Sequence, residues 1–257
     1  EISYYKHLKL NKPADQKHRN LEKQVFETAD ITLATSFSDA ENFRKKGANA
    51  FCITNGFDEN ANLKIRQLEN FKFENSKFTL SYIGVLEQLR NPDVLWKVLN
   101  ELILENQDFK NTFQLKLVGR IDHKILTEIE QSALKNCVNN LGYLSHAEAN
   151  NEMQDADLLL ITNFPDESSK GIIPGKIFEY LATGRPIVSF GPKESDVKKI
   201  LEETNAGKHF SYDDESELKT FFLEKYEEWK SGKLYSQTQN IQQFSRRNLT
   251  KKLTEFL

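Results

Sequence analysis

Gly171-Ile-Ile-Pro174-Gly175-Lys176-Ile-Phe-Glu179-Tyr-Leu-Ala-Thr-Gly184-Arg-Pro-Ile-Val188 reads as a loop, a helix and a buried strand in immediate succession. Proline followed by glycine suits a helix start near Pro174-Gly175, and Gly184 suits its end. The apolar pair Ile187-Val188 then opens a strand over Pro186–Phe190. Just upstream, Leu158-Leu159-Leu160-Ile161 is apolar without interruption. Such a run fits a strand covered on both faces, as in a parallel sheet.

The same alternation extends in both directions. Strands are expected at Ile31–Thr35, Ala50–Thr54, Thr79–Gly84, Gln114–Gly119 and Val138–Leu141, with amphipathic helices between them. Ser38–Lys46 reads as one such helix. Asn91-Pro92 reads as a cap and first helical residue opening Pro92–Asn106. Ser145-His146-Ala147-Glu148 has the form of a capping box. Strand–helix alternation predicts a doubly wound, Rossmann-like α/β sheet. Residues 1–58 read as the tail end of a first unit, 59–76 as a polar linker, 77–230 as a complete second unit and 231–257 as C-terminal helices.

Composition narrows the chemistry. The 257 residues hold 38% hydrophobic and 28% charged side chains, with 38 acids against 35 bases. That balance speaks against a general nucleic-acid partner, which carries a basic excess. Cys52 and Cys137 lie in unrelated contexts and suit reduced cytosolic thiols rather than a zinc site. The five histidines show no ligand spacing. Asp155-Ala-Asp157 has the spacing of a metal-binding pair but sits where a helix end runs into a buried strand, which suits capping. There is no phosphate loop of the Gly-x-x-x-x-Gly-Lys type and no Gly-x-Ser-x-Gly elbow. No metal or cofactor is expected. No apolar run reaches the ~20 residues of a membrane span, and no signal peptide is visible. The chain opens at Glu1 inside a polar stretch, which reads as a piece whose start lies elsewhere.

Four segments could bind a ligand. Open backbone N–H groups at Pro174-Gly175, with Lys176 in the first turn, would favour an anion. Glu179, one turn on, could accept two ribose hydroxyl hydrogen bonds. Gly84 closes a strand and is followed six positions later by Arg90, whose planar fork suits a diphosphate. Val118-Gly119-Arg120 ends another strand. In Gly142-Tyr143 the aromatic ring could stack beside a nucleobase. Each of these residues alone also suits an ordinary surface or packing role.

In combination and order, these segments resemble the C-terminal domain of retaining glycosyltransferases of family 4 and their relatives, which have the two-Rossmann-domain GT-B fold. The resemblance covers most of residues 28–210. Asn55-Gly56-Phe57-Asp58 resembles the close of the family's interdomain linker. Gly84 and Arg90 match its strand glycine and diphosphate-binding base. Val118-Gly119, Gly142-Tyr143 with Ser145–Glu148, and the Glu179–Val188 run match three further signatures. The sequence departs from the pattern at Gly171, where relatives often carry a first glutamate, at Val85, where they often carry arginine, and at Ile172-Ile173-Pro174, where they carry Gly-x-Gly.

The resemblance implies a nucleotide-sugar donor held by Arg90, Lys176 and Glu179, with Gly84, Gly119, Arg120, Tyr143, Ile173, Pro174 and Gly175 lining the site. It implies metal-independent transfer with retention to a glycan or lipid-linked acceptor in polysaccharide biosynthesis. The acceptor would bind mainly to the first unit, so the chain alone is expected to bind donor without transferring sugar. A cytoplasmic location is expected, with peripheral contact at the inner membrane surface through the first unit. An epimerase or hydrolase of the same fold, and a non-catalytic nucleotide-binding module, are the alternatives.

Overall fold

The computed structural model describes residues 10–59, 77–234 and 238–256. The expected linker 59–76 lies outside the described residues except for Glu59. The first segment forms α1 (Lys12–Thr28), β1 (Thr32–Ala34), α2 (Phe37–Lys45) and β2 (Ala50–Cys52). β1 and β2 pair in parallel, with Thr32 opposite Ala50.

The second segment begins with β3 (Phe78–Leu86), α3 (Asp93–Glu105), α4 (Gln107–Thr112), β4 (Phe113–Ile121), α5 (His123–Glu130) and β5 (Val138–Gly142). It continues with α6 (His146–Asp155), β6 (Leu158–Thr162), α7 (Lys176–Thr183), β7 (Ile187–Phe190), α8 (Asp196–Thr204), β8 (Gly207–Phe210) and α9 (Glu215–Lys230). Its six strands form one sheet in the order β5-β4-β3-β6-β7-β8. Every pairing is parallel. This is the doubly wound α/β fold that the alternation predicts.

The alternating directions of strand side chains divide the core into two layers. Leu158 and Leu160 of β6, with Val188 and Phe190 of β7, pack among α3 and α9 residues such as Leu99, Phe222 and Trp229. Leu159, Ile161 and Ile187 point the other way, onto Ile177, Tyr180 and Leu181 of α7 and Ile200 of α8. All five residues of β6 are buried, which explains its unbroken apolar run.

Three local expectations need correction or completion. Pro92, not Asn91, occupies the N-cap of α3, and no side chain caps it. The Asn91 side chain is instead engaged elsewhere. Its carbonyl accepts the Trp96 indole N–H at 2.6 Å, and its amide donates to Asp93 and to Glu128. The edge strand β8, paired with β7, adds to the strands expected from sequence. Asp157 of the Asp-x-Asp pair accepts the Thr79 amide at 2.9 Å, so this carboxylate secures the start of β3.

The chain end returns to the first segment. The Phe57 amide donates to the Phe244 carbonyl at 3.1 Å, the Arg246 amide donates to the Phe57 carbonyl at 2.9 Å, and α10 (Arg246–Thr254) follows. Lys252 donates to the Cys52 carbonyl at 3.1 Å, and the rings of Phe51 and Phe256 lie 4.2 Å apart.

Candidate functional site

β3 is the first strand of the sheet. The chain winds outward from it through β4 and β5, then returns to its other side at β6. The point where the winding direction reverses therefore lies between β3 and β6. Crevices outside the carboxyl ends of strands at such points are where open α/β sheets take ligands. The segments leaving β3 and β6 carry Arg90 and Pro174–Glu179.

The strand-ending glycines come first. Gly84 and Gly119 are register partners. A Cβ on Gly119 would lie 2.1 Å from the Gly84 carbonyl oxygen, and its φ is +111°. Gly119 is thus required by the close approach of the two strands. The following pair, Val85 and Arg120, emerges exposed at the sheet's end.

Arg90 ends the short 3-10 turn Gln88–Arg90. Its guanidinium lies over the Phe164 ring, 5.4 Å from the centroid, and so spans from the β3 loop to the β6 loop. Nη2 donates to the Val85 carbonyl at 2.8 Å and reaches Glu87 at 3.4 Å. Nε is buried and has no partner among the described residues. In this state Nη2 is engaged by the arginine's own loop.

The loop from Asn163 to Gly175 is stapled internally. The Asn163 amide donates to the Ile172 carbonyl at 2.8 Å, and Ser169 donates to the Phe164 carbonyl at 2.7 Å. α7 begins at Lys176, with Gly175 at its N-cap and Gly184 at its C-cap in the left-handed region. The Ile177 and Phe178 amides bond to Pro174 and Gly175 carbonyls, so Gly175 and Lys176 present the outermost amides. Lys176 Nζ donates to Glu179 Oε2 at 2.6 Å. The two residues proposed separately for phosphate and ribose are therefore ion-paired, with each side chain about one third exposed.

Tyr180 anchors α7 under the sheet. Its buried hydroxyl accepts the Ile83 amide proton at 3.2 Å. Burial pushes this phenol strongly up, so it stays protonated. Tyr212, after β8, places its hydroxyl 2.5 Å from the Asn163 carbonyl and 3.3 Å from that of Arg90. Burial raises its pKa as well, opposed in part by the Arg90 charge.

The first segment closes one side of this loop. Asp196, fully buried at the start of α8, accepts the Ser38 amide at 2.8 Å and the Ser38 hydroxyl at 2.7 Å. Its own amide donates to the Lys170 carbonyl. Next to it, a Cβ on Gly171 would meet Ser36 Oγ at 3.1 Å and Asp39 Oδ1 at 3.4 Å. A glutamate in this backbone position would push against α2.

Of the residues expected from sequence, Arg90 lies on the segment leaving β3, Ile173, Pro174 and Gly175 on the loop leaving β6, and Lys176 and Glu179 on the start of α7 that follows it. Arg120 and Tyr143 stand at the neighbouring ends of β4 and β5. The Tyr143 ring is 92% exposed, so no packing role holds it. Sequence reading missed Asn163, Tyr212 and Asp196. Asn163 carried a usable signal, being a polar residue directly after a wholly buried strand. Among the described residues no cluster of three or more His, Cys, Asp or Glu could hold a metal ion. No described helix is long and apolar enough to cross a membrane.

The family model for glycosyl transferases group 1 matches residues 77–224, more than half of the chain. The chain belongs to the group 1 glycosyl transferases. No curated protein matches its sequence. Solved GT-B glycosyltransferases share its fold. Anabaena HepE, solved in complex with UDP, is 17% identical over 93% of this chain and 66% of its own, with a TM-score of 0.69. Sucrose-phosphate synthase from Thermosynechococcus elongatus is 15% identical over 99% of this chain and 65% of its own, at 0.68. TarM is 16% identical over 93% of this chain and 46% of its own, also at 0.68. This glycosyl transferase chain thus spans about two thirds of the length of HepE and under half of TarM.

Proposed function

We propose that this chain binds a nucleoside-diphosphate sugar, with the diphosphate lying between Arg90 and the Pro174–Lys176 turn. The observation that carries the reading is the seating of Arg90 over Phe164. It brings a cation from the β3 loop against the loop that leads into the start of α7. Two basic residues and a helix N-terminus would then face one crevice. That combination suits a dianionic bridge rather than a neutral ligand. HepE has been solved with UDP and with UDP-glucose, which supports uracil as the first base to test.

Breaking the bond from sugar to diphosphate develops negative charge on the leaving group. Arg90, Lys176 and the first amides of α7 would stabilise that charge electrostatically, without a metal ion. Glu179 keeps Oε1 for a ribose hydroxyl while Oε2 holds Lys176. Tyr143 would stack on the base, with Gly84, Gly119 and Arg120 at the rim. The acceptor, a glycan or lipid-linked saccharide, would approach past Ser36–Asp39, and transfer would retain the anomeric configuration. Work at the cytoplasmic face of a membrane suits such an acceptor.

Displacement of a fluorescent UDP analogue by a panel of UDP-, GDP- and ADP-sugars, with and without EDTA, tests this reading. UDP-sugars should compete best, and EDTA should change nothing. Strict metal dependence would refute the metal-free site. Equal competition by all bases would remove the uracil assignment. A second reading, a binding module without transfer, draws support from the crowding at Gly171; transfer detected by NMR would refute it.

A further inference from the structure

We propose that Tyr212 is a positioning residue that ties the two donor loops into a single diphosphate cradle. This rests on the donor-site reading above. Tyr212 belongs to neither loop. It follows β8, 122 residues beyond Arg90 and 49 beyond Asn163 in sequence. Its hydroxyl stands between two backbone carbonyls, that of Arg90 on the β3 side and that of Asn163 on the β6 side. A phenol has one proton to donate. The 2.5 Å contact to Asn163 takes most of it, and the 3.3 Å contact to Arg90 shares the remainder.

Asn163 carries the tie onward. It is 3% exposed, its amide donates to the Ile172 carbonyl at 2.8 Å, and its side-chain carbonyl accepts the Phe164 amide at 3.1 Å. Ile172 stands two residues before Pro174. An unbroken path of hydrogen bonds therefore runs from Arg90 through Tyr212 and Asn163 to the lead-in of α7. Phe164, held by the same asparagine, is the ring beneath the Arg90 guanidinium. The Tyr212 ring is fixed edge-on against Phe190, 5.8 Å between centroids, so the hydroxyl has little freedom to swing away. Two loops that must grip one small anion gain from being held at a set separation before it arrives.

Calorimetry with UDP and with uridine tests the tie on the full chain. Tyr212→Phe keeps the ring and removes the hydroxyl. UDP affinity should fall about three- to tenfold, the scale of one neutral hydrogen bond, while uridine affinity holds. If Tyr212 acts through Arg90, adding Tyr212→Phe to Arg90→Ala should cause no further loss. Unchanged UDP affinity, an equal loss for both ligands, or additive losses in the double variant would each overturn the proposal. Should Tyr212→Phe not fold, Asn163→Ser cuts the same path at its other end and is judged by the same outcomes. Wild-type chain that binds no UDP would overturn the donor-site reading and this inference with it. Wild-type binding with an unaffected Tyr212→Phe variant would overturn the inference alone.

Discussion

The buried Tyr180 hydroxyl accepts the amide proton of Ile83 at 3.2 Å, joining the middle of α7 to β3 one residue before Gly84. This bond fixes the helix that carries Lys176 and Glu179 against the strand that leads to Arg90. Tyr180→Phe leaves the Ile83 amide unpaired in the core. An orphaned buried donor costs about 1–3 kcal/mol. Urea unfolding should show a loss in that range. No loss would mean that the amide finds another partner and that the bond does not fix the helix.

Two glycines should behave oppositely. Gly119→Ala drives a methyl group against the Gly84 carbonyl at a φ that side chains avoid. It should destabilise by more than the roughly 1–3 kcal/mol of backbone strain alone. At Gly175 a Cβ meets nothing within 4 Å, and φ is −56°. Gly175→Ala should be neutral or stabilise by about 0.4–1 kcal/mol, yet weaken UDP binding by narrowing the approach to the α7 amides. Thermal melts paired with UDP titration separate the two effects. A Gly175→Ala variant with unchanged UDP affinity would place the diphosphate elsewhere.

Asp196 is the buried link between the first segment and the loop that leads into α7. Each of its hydrogen bonds from Ser38 ends on a carboxylate, worth about 1.5–3 kcal/mol. Asp196→Ala should therefore destabilise the chain strongly. Ser38→Ala, which keeps the amide bond and loses the hydroxyl bond, should cost less. Equal and small effects in chemical denaturation would show that the link is dispensable.

His209 gives a pH signature. Its ring lies between Ser189, Ser195 and the Pro192 carbonyl. Burial, and secondarily the charge of Lys198, lower its pKa from the ordinary 6.5, against the Pro192 hydrogen bond and the charges of Asp214 and Glu194. The folded state therefore holds this proton less tightly than the unfolded chain. Its contribution is fully present above the ordinary value and is lost as pH falls below it towards the folded value. Melting curves across that window should be flatter for His209→Gln than for the wild type. Parallel profiles would show that His209 does not titrate in the way its burial predicts.

What the sequence revealed tracks how local each cause is. β6 is legible to the residue because every position of Leu158–Thr162 is buried and the first four are apolar. The bounds of α7 were legible because Pro174, Gly175 and Gly184 act on their own backbone. β8 was not, because Gly-Lys-His-Phe is a half-exposed edge strand whose pairing with β7 lies twenty residues away. Asn91 was misread because its side chain is taken by Trp96, a choice set by packing rather than by the Asn-Pro pair. Local motifs placed the candidate residues at strand ends. They did not show that Lys176 pairs with Glu179. The contacts of Asp196 and Tyr212 were beyond reach for a different reason: they join residues 158, 122 and 49 positions apart.

The crevice between the β3 and β6 loops is proposed to hold the diphosphate of a nucleotide sugar. Calorimetric titration of UDP against uridine, with wild type, Arg90→Ala, Lys176→Ala and Glu179→Ala, tests it most directly. Wild type should bind UDP more tightly than uridine, and that margin should shrink as salt rises, because mobile ions screen partly exposed charges. Arg90→Ala and Lys176→Ala should erase most of the margin. Glu179→Ala should lower both affinities together, by about ten- to a hundredfold for a charged hydrogen bond. A wild-type chain that binds UDP no better than uridine, or a margin that survives loss of both Arg90 and Lys176, would contradict the account.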